Sequence, residues 1–116
     1  MSVKHIKDYY NQICNQREEL VQELKDFEVE AQNGMIEPER LDKIRESIQP
    51  LMDNYERISF IMYLLNRPNN KQKNKKYDKQ CLKSLKKLSK ANSIDASIEE
   101  NKNVLNNVSK IIKGEN

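Results

Sequence analysis

The chain has 116 residues, of which 36% are hydrophobic and 34% charged, with a net charge of +3, two Gly and three Pro. Against roughly 45–50% apolar and about 25% charged in an average globular domain, this composition excludes a deep enclosed active site and a turn-rich sheet fold, and favours long, exposed helices. The charge is blocked: residues 1–65 carry 8 Lys/Arg against 13 Asp/Glu, residues 66–90 carry 10 against 1, and residues 91–116 carry 3 against 4.

The first predicted element follows Val3, Ile6, Tyr10, Ile13, Arg17, Leu20, Leu24, Phe27 and Ala31, spaced alternately by three and four. That is a heptad seam with one polar intruder, Arg17. Ser2 suits its N-cap, and Asn33-Gly34 ends it, Gly supplying a left-handed residue. Arg17 costs stability unless it meets a carboxylate, and Glu56 on the facing helix is a candidate.

The second element begins at MIEPERL, where Pro38 fits the first helical position. Its seam is Leu41, Ile44, Ile48, Leu51, Tyr55, Ile58, Met62 and Leu65, and Pro68 stops it. Pro50 lies inside and is expected to kink or loosen one turn. The short connection makes the two helices antiparallel neighbours. Phe60, Tyr63 and Leu64 lie off the seam, so Ile58–Leu65 is apolar nearly all round. A helix of that kind is covered on every side. The C-terminal region, a second copy of the chain or a foreign protein would serve. Tyr9, Phe60, Ile61, Tyr63 and Leu64 are therefore candidate protein-interface residues.

NRPNNKQKNKKYDKQ, residues 66–80, reads as a polar, Lys-rich strap. Cys81, Leu82, Leu85 and Leu88 then mark a short basic amphipathic helix over 77–91. Asn92-Ser93 breaks the phase and offers a cap for a fourth helix. Its seam is Ile94, Ile98, Leu105, Val108 and Ile112, with Asn101 at an interior position, and Gly114 ends it. The expected fold is all-α: a long, coiled-coil-like antiparallel hairpin (1–67), a basic connector (68–80) and a C-terminal region of two shorter helices (81–116).

Catalytic patterns are scarce. A single histidine, His5, cannot supply the paired Glu-x-x-His motifs of a helical di-iron site, and two isolated glycines cannot build a phosphate loop. Glu18/Glu19 and Glu28/Glu30 fall on charged, solvated faces. No catalytic residue, metal ligand, cofactor or small-molecule substrate is expected. Cys14 and Cys81 are far apart without a partner motif and read as thiols of a reducing, cytoplasmic setting. The first twenty residues lack the apolar run of a secretory signal, and no run approaches the roughly 20 residues of a membrane span.

Two binding functions remain. The leading expectation is a non-enzymatic protein–protein interaction module, self-associating as a dimer or holding a protein partner through the apolar hub. The alternative is nucleic-acid binding through Arg67, Lys71, Lys73, Lys75, Lys76, Tyr77, Lys79, Lys83, Lys86 and Lys87. Nine of the ten basic residues in 66–90 are Lys, so bidentate readout of guanine by Arg is nearly missing and contact with phosphates is expected instead. The run EPERLDKIRESIQPLMDNYERISFIMYLLNRPN with its Lys-rich tail resembles small helical proteins encoded by phages of low-GC bacteria. The resemblance spans residues 1–80 and brings no functional residue with it. It implies a phage or mobile-element accessory protein that acts by binding.

Overall fold

A computed structural model describes residues 3–34, 37–66, 75–90 and 92–114, without the side chains of Lys75 and Tyr77. The described residues form four α-helices: α1 (Val3–Gln32), α2 (Pro38–Asn66), α3 (Lys75–Leu88) and α4 (Ser93–Ile112). The fold is all-α, as the periodicity predicts. Gly34 ends α1 at φ 71°, and its N–H bonds the Ala31 carbonyl at 3.1 Å. Pro38 is the first residue of α2, and the helix runs on through Pro50 to Asn66 without interruption. Helix α3 begins at Lys75, inside the stretch expected to be connector.

The antiparallel α1–α2 hairpin is only part of the bundle. Helix α2 packs against all three others, α1 packs against α2 and α4, and α3 lies on α2 and touches α4 only slightly. Two apolar clusters record the order of levels. One joins Ile6, Tyr9 and Ile13 to Ile58, Ile61, Leu88 and Ile94. The other joins Leu20 to Leu51, Val104 and Val108. Residue numbers rise along α1 and α4 and fall along α2 between these levels, so α4 runs parallel to α1. It closes a three-helix bundle whose core the hairpin and the C-terminal region share. Fully burying a Leu or Ile such as Leu51 or Ile58, both at 0% exposure, contributes about 1.5–3 kcal/mol.

Between the clusters lies a polar layer. Gln16 of α1, Asn54 of α2 and Asn101 of α4 are all buried. Asn54 Nδ2 donates to Asn101 Oδ1 at 3.0 Å, and Asn101 Nδ2 donates to Gln16 Oε1 at 3.1 Å. Arg57 Nη1 donates to Asn54 Oδ1 at 2.9 Å, and Asn54 Nδ2 also reaches Glu100 Oε1 at 2.8 Å. One amide per helix at one level pins the register, because any slide of a helix strands buried donors and acceptors.

This layer turns α1 relative to its predicted seam. Tyr9 and Gln16 face the interior, Tyr10 and Arg17 are only half-buried, and Val3 is 51% exposed. Arg17 does not pair with Glu56, which is exposed. Its guanidinium lies over the Tyr55 ring, 4.9 Å from the centroid, where the ring's negative face offsets the charge. Asn92 precedes α4 in the left-handed region, φ 63°, and makes no side-chain cap; Ser93 Oγ instead donates to the Lys87 carbonyl at 3.2 Å. The cap expected of either residue is therefore replaced by a turn. Cys14 and Cys81 form no disulfide.

Candidate nucleic-acid interface

The apolar hub is largely internal. Ile61 is 0% exposed and Tyr9 2% exposed, which moves both from the candidate interface into the core. Phe60 and Leu64 are half-buried. Phe60 lines a shallow recess with Gln80 and Ser84 of α3, and Leu85 and Leu88 pack into the cluster that holds Ile58 and Ile61. Helix α3 thus covers the side of α2 that α1 leaves open, which accounts for an α2 segment that is apolar nearly all round. Of the five candidates, Tyr63 alone is exposed, at 39%.

The opposite face of α3 has a different chemistry. Cys81 and Leu88 are buried and Leu85 is half-buried, so these three define the inner face. Lys76, Lys79, Lys83 and Lys86 recur at spacings of three, four and three, and Lys90 continues the pattern just past the helix end; all five are exposed. At about 100° per residue the four helical lysines share one stripe, opposite the buried face. From Lys76 to Lys86 the stripe runs about 15 Å at 1.5 Å per residue. Lys87 is exposed at its margin, and Leu82, 58% exposed, is the large apolar residue beside it. The single carboxylate of α3, Asp78, is half-buried. Arg67, Lys71 and Lys73 lie outside the described residues, as do the side chains of Lys75 and Tyr77.

Lys87 also borders an open cleft of about 440 Å³ where α2, the end of α3 and the start of α4 meet. Arg57, Ser93, Ser97, Asp53 and Glu100 line it, the Ser93 hydroxyl already donating to the Lys87 carbonyl. Arg57 and Glu100 are also the outer members of the amide network, so the buried layer reaches solvent here. Behind the wall lies the Tyr9 hydroxyl, buried beside Ser97 and Asn101 but making no close hydrogen bond. Burial pushes its phenol above the ordinary value, opposed by Ser97, Asn101 and the Arg57 charge. Gln16 and Asn54 do not show in an apolar seam because both are polar; the interior phase of Asn101 is the one sequence signal that points to their layer.

Among the described residues, no cluster of three or more His, Cys, Asp or Glu is arranged to hold a metal, and no helix is long and apolar enough to cross a membrane. In comparison with known proteins, the chain matches no family model, no curated protein and no solved structure.

Proposed function

We propose that this is a non-enzymatic helical protein that binds nucleic acid by its phosphate backbone through the outer face of α3, in the cytoplasm, in an accessory role of the kind the phage resemblance implies. The observation that carries the reading is the helical stripe of Lys76, Lys79, Lys83 and Lys86, all exposed. Phosphate backbones attract such a stripe through counterion release, independent of base sequence. Protein interfaces are depleted in Lys and anchored by aromatic residues and Arg, whereas the described side chains on the outer face of α3 are chiefly lysines, with Leu82 beside them. Membrane docking of α3 is disfavoured because its apolar face already lies on α2, whereas an interfacial helix needs that face for lipid.

A gel shift with two unrelated DNA sequences at two salt concentrations tests the reading. Shifts of equal strength that fade with salt support it; an unshifted probe at low salt sinks it.

A second reading retains a protein partner at the open end of the hairpin. Val3, Tyr63 and Leu65 are 51%, 39% and 38% exposed there. A chain that scatters as a dimer, and becomes monomeric when Tyr63 and Leu65 are both changed to Ser, would favour it.

A further inference from the structure

Helices α1 and α2 share a face on the side away from α4. On α1, Gln16 turns to α4, where its Oε1 accepts from Asn101 Nδ2 at 3.1 Å. Arg17 turns to α2, its guanidinium 4.9 Å from the Tyr55 ring centroid. At about 100° per residue, Cys14 lies about 60° beyond Arg17, on the side away from α4. The same holds on α2. Asn54 donates to Asn101 at 3.0 Å and Tyr55 lies under Arg17, so Met52, about 60° beyond Tyr55, shares the side of Cys14. Both are half-buried. Helix α3 lies round the other flank of α2, beside Phe60.

Lys7, Cys14, Val21 and Glu28 recur at every seventh residue and so form one line along this side of α1. Val21 is 37% exposed, and Lys7, Glu18 and Glu28 are exposed. The line is a mirror about the midpoint between Arg17 and Glu18, with the charges reversed. Lys7 stands as far before that midpoint as Glu28 stands after it, and Cys14 as far before it as Val21 after it. Unlike the stripe of α3, this line carries both signs around an apolar centre, the pattern that fixes orientation in paired helices. A separate observation falls at the midpoint. Arg17 is half-buried, its Nε is buried without a hydrogen-bond partner, and Glu56 leaves it unpaired. The Tyr55 ring offsets the charge but gives a guanidinium no carboxylate to grip.

We propose that this face is the contact of a homodimer in which a second copy of the chain lies antiparallel across α1, with the two-fold axis between Arg17 and Glu18. Lys7 then meets Glu28 of the partner subunit, Cys14 meets Val21 of the partner subunit, and Arg17 meets Glu18 of the partner subunit. The symmetry makes each of these contacts twice. A parallel pairing would set Lys7 against the partner's Lys7 and Glu28 against the partner's Glu28, and like charges across a helix pair are destabilising. Helix α3 takes no part, so the dimer does not depend on whether α3 binds nucleic acid.

The test uses the full chain, with circular dichroism to confirm that each variant folds. Sedimentation velocity over a range of concentrations should show a reversible monomer–dimer equilibrium. Lys7→Glu should weaken the dimer about tenfold, because two exposed ion pairs become two repulsions, and adding Glu28→Lys should restore it. Oxidised glutathione then reads the register. With Val21→Cys it should give a covalent dimer joined from Cys14 to the new thiol, as mapped by mass spectrometry. Wild type should not be joined through Cys14, and Val21→Cys with Cys14→Ser should not be joined through the new thiol. In both, the two equivalent thiols stand about 10 Å apart along the helix axis, beyond the reach of a disulfide. The same distance prevents closure within one helix.

A chain that stays monomeric at every concentration overturns the proposal. So does a dimer that Val21→Cys does not join, or one joined equally well from Cys14 to Cys14 in the wild type, which is the parallel pairing. Failure of Glu28→Lys to rescue Lys7→Glu overturns it as well. Leu65→Ser should leave the dimer intact; loss of the dimer in that variant places the contact at the open end of the hairpin instead and overturns the assignment to this face.

Discussion

Helices α3 and α4 follow one another in the chain and look alike as short amphipathic segments, yet they serve opposite ends. Helix α4 buries Ile94, Ser97, Asn101, Val104 and Val108 and supplies residues to both apolar clusters and to the amide layer. Helix α3 lies on the outside, holds α2 with Cys81, Leu85 and Leu88, and turns its lysines to solvent. Their charge differs in the same sense, residues 66–90 carrying 10 basic against 1 acidic side chain and residues 91–116 carrying 3 against 4. The contrast teaches that amphipathicity alone does not separate a structural helix from a binding one. What separates them is whether the polar residues are amides bonded to one another in the core or like charges turned to solvent.

The sharpest way to break the comparison is to attack the core that α4 completes. Leu51→Asp places an unpaired carboxylate at a position with no exposure, and should cost more than about 4 kcal/mol and unfold the chain. Loss of the helical circular-dichroism signal at 25 °C is the readout. Asn101→Ala is the next largest. It removes the donor to Gln16 and one acceptor of Asn54, and should cost about 2–3 kcal/mol in a urea titration, with the helical content of the folded state kept.

On α3 the same scale should read almost nothing. Changing Lys76, Lys79, Lys83 and Lys86 to Gln should move stability by less than about 1 kcal/mol, because exposed charges contribute little. The same change should lower nucleic-acid affinity strongly.

The smallest effect is expected at Tyr9. Removing a hydroxyl that makes no close hydrogen bond should change stability by less than about 1 kcal/mol in Tyr9→Phe. Its sign against pH is also fixed. Burial raises the folded-state pKa above the ordinary 10.0, so the unfolded chain releases this proton first. Tyr9 therefore makes stability fall as pH rises from about 10 toward the folded-state value. Thermal melts of Tyr9→Phe should lose less stability than the wild type across that alkaline range.

Much of this architecture is legible in the sequence, and the reasons for the rest are physical. Four helices follow from the apolar spacing, from Gly34 and Pro38 at the hairpin turn, and from the phase break at Asn92-Ser93. The interior phase of Asn101 is legible too. The facing of α1 is not, because a heptad seam describes one partner and α1 has two; the compromise brings Tyr9 and Gln16 inward. Gln16 and Asn54 are hidden because only the assembled layer, with its partners in place, makes burying a primary amide tolerable. The hub at Ile58–Leu65 shows in the sequence as needing cover on every side, and α3 supplies part of that cover. The predicted helix over 77–91 already aligns Lys79, Lys83 and Lys86, and the start of α3 at Lys75 adds Lys76 to that line.

The central claim is that this line binds phosphates without reading bases. The most direct test is the slope of log affinity against log salt for the wild type and the four-lysine variant, on two unrelated duplex sequences. The account predicts equal affinities for the two sequences. It also predicts a shallower slope in the variant, by about 0.9 for each phosphate that a removed lysine had neutralised and by up to about 3.6 in all. An unchanged slope in the variant, or a strong preference for one sequence, would contradict it.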